Sequence, residues 1–229
     1  MKRITFLFII SIISVLLICT LVFAAEPLAV ALKAKGKVSV FKGSISRSNP
    51  LKRGYRLADG DKIVTAAKSM AALRFKDDGS LVRIRANSTC TIQGKKEKNQ
   101  ILKNVYLEVG TIFARITKQK GRFQVTTPTS VASVKGTKLI VDQKSNPGTF
   151  YYGEEGLVEI TNKAGTALLR AGETAYVANE NTAPVVRKTR EGEKPEFDEG
   201  EASEDEFEFE FENDAGKKKL LKFKATKKE

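Results

Sequence analysis

The stretch "FQVTTPTSVASVKGTKLIV" (Phe123–Val141) crowds hydroxyl side chains beside a lysine. Ser130 or Ser133 as nucleophile, with Lys135 as general base, is the arrangement that acyl-transfer chemistry would use. Such chemistry needs a hydroxyl that is both activated and held in position, and no further residue in the chain frames one. The chain contains no histidine, which removes imidazole acid–base chemistry, Ser-His-Asp triads and imidazole metal sites. Its two cysteines are Cys19, inside the apolar start, and Cys90. One thiol outside that start rules out an intramolecular disulfide and a closed zinc site. Cys90 reads as a small buried residue next to a strand. No catalytic, cofactor-binding or metal-binding residue is assigned, and the expectation is a protein that is not an enzyme. Carboxylate- or lysine-based chemistry stays open on these grounds alone.

Elements that could position any such group begin after residue 24. The start, "MKRITFLFIISIISVLLICTLVFAAEP", has a basic Lys2-Arg3, an uncharged run from Ile4 to Ala24, and Val22-Phe23-Ala24 as a small-x-small site before Ala25. Residues 1–24 therefore read as a secretory signal peptide. About 20 apolar residues also suffice to span a bilayer, so an uncleaved signal anchor is the alternative. A lipid on Cys19 is a third reading, disfavoured by Ile18 in the place of a small residue. Each of these places the rest of the chain outside the cytoplasm. The expected location is periplasmic or extracellular, or inner-membrane anchored and facing the periplasm.

Charge is divided unevenly. Of 40 basic and 27 acidic residues, the start holds two basic ones and Val185–Glu229 holds 11 basic and 14 acidic. Ala25–Pro184 is left with 27 basic against 13 acidic. A basic exported domain suits an envelope protein or an anionic envelope polymer as partner. Nucleic acid is not expected, because export removes the protein from it. The membrane is expected only through the N-terminal segment, if uncleaved.

Residues 25–184 read as all-β. Apolar residues alternate in "KVSVF" (Lys37–Phe41), "AALRF" (Ala71–Phe75), "LVRIR" (Leu81–Arg85), "RFQV" (Arg122–Val125), "KLIV" (Lys138–Val141) and "LVEIT" (Leu157–Thr161). A period of two buries one face of a strand. Gly-containing turn signals such as "ADGD", "DDGS", "SNPG" and "NKAG" separate the runs. Their spacing suits a sandwich or roll of short strands.

The order of these pieces resembles the FecR domain family. "LADGDKIVTAAKSMAALRFKDDGSLVRIRANSTCTI" (Leu57–Ile92) is similar to the opening of that domain, with Gly60-Asp61, Ile63, Thr65, Asp78-Gly79-Ser80, Val82 and Ile84 in its places. "VYLEVGTIFARI" (Val105–Ile116) resembles its strand–Gly–strand. Phe123–Val141 resembles its central signature, and "YYGEEGLVEITNKAGTALLRAGETAYV" its closing portion. The resemblance spans about residues 32–183 and implies one FecR-like β-domain. It makes the Phe123–Val141 tract a structural centre. Thr126, Thr127, Pro128 and Thr129 would bend the chain, and Val131, Ala132 and Val134 would pack on neighbouring strands. Gly136 would supply a backbone geometry that a Cβ hinders, and Thr137 would start the next strand.

The family's best-known members carry a cytoplasmic anti-sigma segment, one membrane helix and a C-terminal portion that meets an outer-membrane receptor. Only Met1-Lys2-Arg3 precede the apolar run here, so the sigma-factor contact is not expected. The expected function is a non-enzymatic envelope module that binds a protein or polymer. The alternative is a component of a transmembrane signalling or regulatory system, anchored by its N-terminal segment.

After Pro184 the composition turns acidic. Residues 185–205 read as a disordered linker. Residues 206–224 read as a tail able to form a β-hairpin. In "EFEFEFENDAGKKKLLKFK", Phe207, Phe209 and Phe211 alternate with glutamates, and Asp214-Ala215-Gly216 is a possible three-residue loop. Asn213 against Lys217 would set Phe207 opposite Phe223, Phe209 opposite Leu221 and Glu206 opposite Lys224.

Overall fold

A computed structural model describes residues 26–43, 47–97, 100–117, 121–145, 148–197, 206–212 and 218–224. The proposed signal segment lies outside the described residues. All regular structure among the described residues is β. Seventeen strands belong to the main body: β1 (Ala29–Lys35), β2 (Val38–Phe41), β3 (Ser48–Pro50), β4 (Arg56–Leu57), β5 (Asp61–Thr65), β6 (Met70–Phe75), β7 (Leu81–Ile84), β8 (Thr89–Glu97), β9 (Gln100–Arg115), β10 (Phe123–Thr126), β11 (Val131–Val134), β12 (Lys138–Gln143), β13 (Thr149–Glu155), β14 (Leu157–Asn162), β15 (Gly165–Arg170), β16 (Glu173–Val177) and β17 (Val185–Lys188). The alternating runs read from the sequence all fall on strands.

The strands form two sheets that share β9. The first runs β4-β1-β6-β7-β9-β12-β13-β16-β17 and is antiparallel throughout. The second runs β3-β2-β5-β8-β9-β10-β11-β14-β15, with β9 and β10 parallel and the other pairs antiparallel. The N-terminal part of β9 pairs with β8 and β10, and its C-terminal part with β7 and β12. Gly110 is the corner between them. Its φ is +102°, and a Cβ there would lie 2.2 Å from Ser88 Oγ and 2.5 Å from Ser88 Cα. Only glycine fits that bend. Gly156, at φ +81°, turns β13 of the first sheet into β14 of the second.

The sheets face each other across one core. Phe75 of the first meets Phe123 of the second edge-on, with ring centroids 5.2 Å apart, a favourable aromatic geometry. Leu73, Val82, Ile112, Val141 and Tyr151 fill the core from one side. Ile63, Cys90, Ile92, Val105, Leu107, Val125, Ala132, Val134 and Ile160 fill it from the other. Cys90 is fully buried, and burial pushes its thiol up to about 12.

Two boundaries differ from the sequence reading. The body begins at Ala29, which pairs with Phe75 and Leu57, rather than at residue 32. It also continues past Pro184. Val185–Lys188 forms β17 on the free edge of β16, with Val186 packed on the core. Residues 185–197 are thus a strand and a docked segment and not a linker; two adjacent valines give no periodicity to read, yet suffice to close a sheet edge. The tail forms a separate two-stranded antiparallel sheet, β18 (Glu206–Glu212) and β19 (Lys218–Lys224). Its register sets Glu206 opposite Lys224, Phe207 opposite Phe223 and Phe209 opposite Leu221.

Candidate functional face and buried polar clusters

The hydroxyl-rich centre is a polar plug inside the core. Thr127, Pro128, Thr129 and Ser130 form the turn between β10 and β11, closed by the Thr127 N–H donating to the Ser130 carbonyl at 2.9 Å. Ser130 Oγ lies 2.8 Å from the Tyr151 hydroxyl, Thr127 Oγ1 3.1 Å from Thr149 Oγ1, and Thr129 Oγ1 2.5 Å from Thr149 Oγ1. Thr149 donates on to Gln143 Oε1. All are buried. Burial pushes the Tyr151 phenol up, against the hydrogen bonds from Ser130, Thr127 and Thr149. The network satisfies itself, which buried polar groups require.

The same geometry takes Ser130 and Lys135 apart. Ser130 points inward with Ala132 and Val134, whereas Ser133 sits on the outer face and accepts from Gln124 Nε2 at 3.4 Å. Lys135 is exposed. Residues 130 and 135 fall on opposite faces of a strand. Val131, expected to pack, is only half-buried, because β11 pairs in the frame that turns Ala132 inward.

A second buried polar cluster was not legible as a site. Lys103 of β9 is only 1% exposed. Its Nζ lies 2.8 Å from Asp77 Oδ2 and 2.5 Å from Asp78 Oδ2, and 5.6 and 5.9 Å from the ring centroids of Phe75 and Phe123. Burial pushes Asp78 up, but hydrogen bonds from Lys103 and Ser80 outweigh it and hold the carboxyl below its ordinary value. The sequence signal was a lysine in the inward frame of Val105 and Leu107, opposite the turn "DDGS". Among the described residues, no group of three or more acidic or thiol side chains is arranged to hold a metal.

The accessible feature is the outer face of the first sheet. Strand register lines up one row across it: Arg83 opposite Phe113, Phe113 opposite Ile140, Ile140 opposite Tyr152, Tyr152 opposite Thr174 and Thr174 opposite Arg187. Ile140, Tyr152 and Thr174 are buried although they point away from the core. Residues 189–197 cover them. Thr189 Oγ1 lies 2.9 Å from Thr174 Oγ1, and Arg187 makes a two-pronged ion pair with Glu193. Lys194 Nζ lies 2.8 Å from Glu154. Phe197 stacks at a tilt on Phe113, 5.7 Å between centroids, with the Arg85 guanidinium 5.2 Å from its ring. Glu193, Pro195 and Phe197 are the half-buried positions, while Gly192, Lys194 and Glu196 are exposed. The stretch starts in a turn over Arg190–Glu193 and lays every second residue against the surface. Burial, with the carboxylates of Asp142 and Glu193, pushes the Tyr152 phenol up to about 12.

Beyond Phe197 a cavity of about 310 Å³ opens, walled by Lys35, Lys68, Ser69, Arg83 and Arg85. Beside the covered row lies a less covered one. Phe150 and Tyr176 are half-buried with ring centroids 4.7 Å apart, and Val185 is 60% exposed.

The FecR protein family model matches residues 61–159, from β5 into β14. No curated protein matches the chain. Two crystal structures of a candidate anti-sigma factor from Parabacteroides distasonis ATCC 8503, at 1.65 and 2.50 Å resolution, are similar. They are 18% and 19% identical, with TM-scores of 0.49 and 0.48. Each alignment covers 56% of this chain and 59% of the other, so this chain spans about three fifths of the length of the solved chains it matches.

Proposed function

The chain carries a FecR domain, and we propose on that footing that it is a non-enzymatic regulatory component of the cell envelope. In this reading the β-domain lies outside the cytoplasm and receives a protein partner, while the apolar segment Ile4–Ala24 holds it at the inner membrane. The family match over residues 61–159 carries the reading. It weighs more for a regulatory system than for a free polymer-binding module, because regulation is what the family's best-known members do. Supporting it, the hydroxyls best placed to suggest catalysis are spent on one another and on Tyr151. The outer face of the first sheet, part of it covered by residues 189–197, is a surface suited to binding.

The test compares a host lacking the chain with hosts restored by two forms of it. One is the natural chain; the other has a signal peptide known to be cleaved in place of residues 1–24. Removing the chain is expected to change a defined set of transcripts. The natural form should restore them, with intact Met1 in the membrane fraction. Restoration by the freed form as well, or no change in transcripts, would overturn the anchored regulatory reading.

A further inference from the structure

The row Arg83-Phe113-Ile140-Tyr152-Thr174-Arg187 is already occupied by a piece of the chain's own sequence, and the way it is held identifies what else fits. The occupant turns at Arg190–Glu193, where the Glu193 N–H donates to the Arg190 carbonyl at 3.3 Å, and then runs on to Phe197. It presents Phe197 to an aromatic ring and a guanidinium and Glu193 to Arg187, with Pro195 half-buried between them. Glu196 and Phe197 themselves line the cavity walled by Lys35, Lys68, Arg83 and Arg85. We propose that this outer face is a docking groove for an acidic, phenylalanine-bearing segment of a partner protein, and that Thr189–Phe197 is an internal ligand the partner displaces. The inference deepens the regulatory reading above and rests on it for the partner's identity as a protein.

Three observations carry it. The internal segment is held by a small set of contacts: Phe197 with Phe113 and the Arg85 guanidinium, the Thr189–Thr174 hydrogen bond, the two-pronged Arg187–Glu193 pair and the partly exposed Lys194–Glu154 pair, the last of a kind that is individually weak. It covers one row of the face and leaves the neighbouring Phe150 and Tyr176 half-buried and Val185 exposed, so a longer or wider segment gains contacts that the internal one lacks. The charge is complementary: residues 25–184 hold 27 basic and 13 acidic residues, and "EGEKPEF" holds three glutamates and one lysine. An internal ligand competes at an effective concentration on the order of millimolar, so the groove would admit a partner in trans only weakly until the segment is dislodged.

The probe is a labelled peptide of the chain's own sequence, TREGEKPEFDE, titrated by fluorescence anisotropy into the full chain in detergent at low salt. The pair Phe197→Ala and Glu193→Gln should bind the peptide at least about tenfold more tightly than the parent, because the competent fraction rises. Arg85→Glu in that background should reverse the gain, and a peptide with alanine for phenylalanine should bind poorly. Equal affinity for parent and opened chains would overturn the proposal. So would absence of binding to an opened chain that melts like the parent. A second readout needs no loss of packing. The chain has no tryptophan, so Phe197→Trp reports on the groove alone, and saturating peptide should shift its emission to the red. No shift would mean that the segment is not displaced. A shift given equally by polyglutamate would reassign the groove to anionic polymers and end the claim for an aromatic segment. Peptide exchange in vitro with no anchored regulatory output in cells would leave the groove standing and remove the reading of its biological role.

Discussion

Replacing Lys103 by methionine tests the polar cluster beneath the core. Methionine keeps an unbranched stem beside Phe75 and Phe123 and removes only the charge. Asp77, with a side chain 26% exposed, can turn to water. Asp78, 4% exposed, cannot, and keeps the Ser80 hydroxyl and N–H as donors. Removing one member of a buried pair typically costs about 3–5 kcal/mol. The retained Ser80 bonds and the freedom of Asp77 place the expectation near the lower end, about 3 kcal/mol, in a body whose total stability is on the order of 5–15 kcal/mol. Urea unfolding at neutral pH measures it. Lys103→Met combined with Asp78→Asn should recover much of the loss. The pH dependence gives an independent sign. In the parent, Asp78 has a folded pKa below the ordinary 3.8, so its contribution is complete above that value and is lost as pH falls through the folded pKa. In Lys103→Met the lowering by Lys103 is lost while burial, the largest influence, stays, so the folded pKa should rise from its value in the parent. Protonation then relieves the variant, and the stability gap should narrow as the pH drops toward 4. A loss under 1 kcal/mol at neutral pH, or a gap that widens in acid, would refute this account of the cluster.

Two further substitutions probe the centre and the corner. Ser130→Ala should fold and lose only about 1 kcal/mol, since Thr127 Oγ1 still reaches the Tyr151 hydroxyl at 3.2 Å, whereas Thr149→Val leaves Gln143, Thr127 and Thr129 short of a partner and should cost more, about 1–3 kcal/mol by thermal melting. Gly110→Ala places a Cβ against Ser88 backbone at positive φ, so a melting loss of about 2 kcal/mol or more is expected, and a chain that melts like its parent would mean that β9 does not bend there.

Much of the fold was legible because a two-residue period is a strong local signal. "DKIVT" is buried at Asp61, Ile63 and Thr65, and "FQVT" at Phe123 and Val125. The hairpin register in the tail followed from charge and aromatic alternation around a Gly-bearing loop. Less legible was what depends on two strands at once. Lys103 gave no local sign of burial, because the turn that neutralises it lies 25 residues away. Ser130 could be read as a nucleophile because Tyr151, the hydroxyl that occupies it, joins it from the other sheet. The row under residues 189–197 is assembled from six strands, and no spacing along one sequence encodes a line that runs across them.

One signal of that row was present. A strand with one face toward water alternates, but "LVRI" (Leu81–Ile84) is buried at all four positions and "KLIVDQ" (Lys138–Gln143) at five of six. Continuous burial is the mark of a strand covered on both faces. The second sheet covers one face, so something must cover the other, and in this chain the segment from Thr189 to Phe197 does so. The physical consequence bears on how the groove can work. Lifting that segment without replacement would bare Ile140, Tyr152 and Phe113 beside the half-buried Phe150 and Tyr176 and the exposed Val185, a contiguous apolar patch of the kind that monomeric proteins rarely leave open. An open, empty groove is therefore the least stable arrangement. The stable alternatives are the internal segment or a partner segment of the same chemistry, which makes exchange of one cover for another the expected mode of switching.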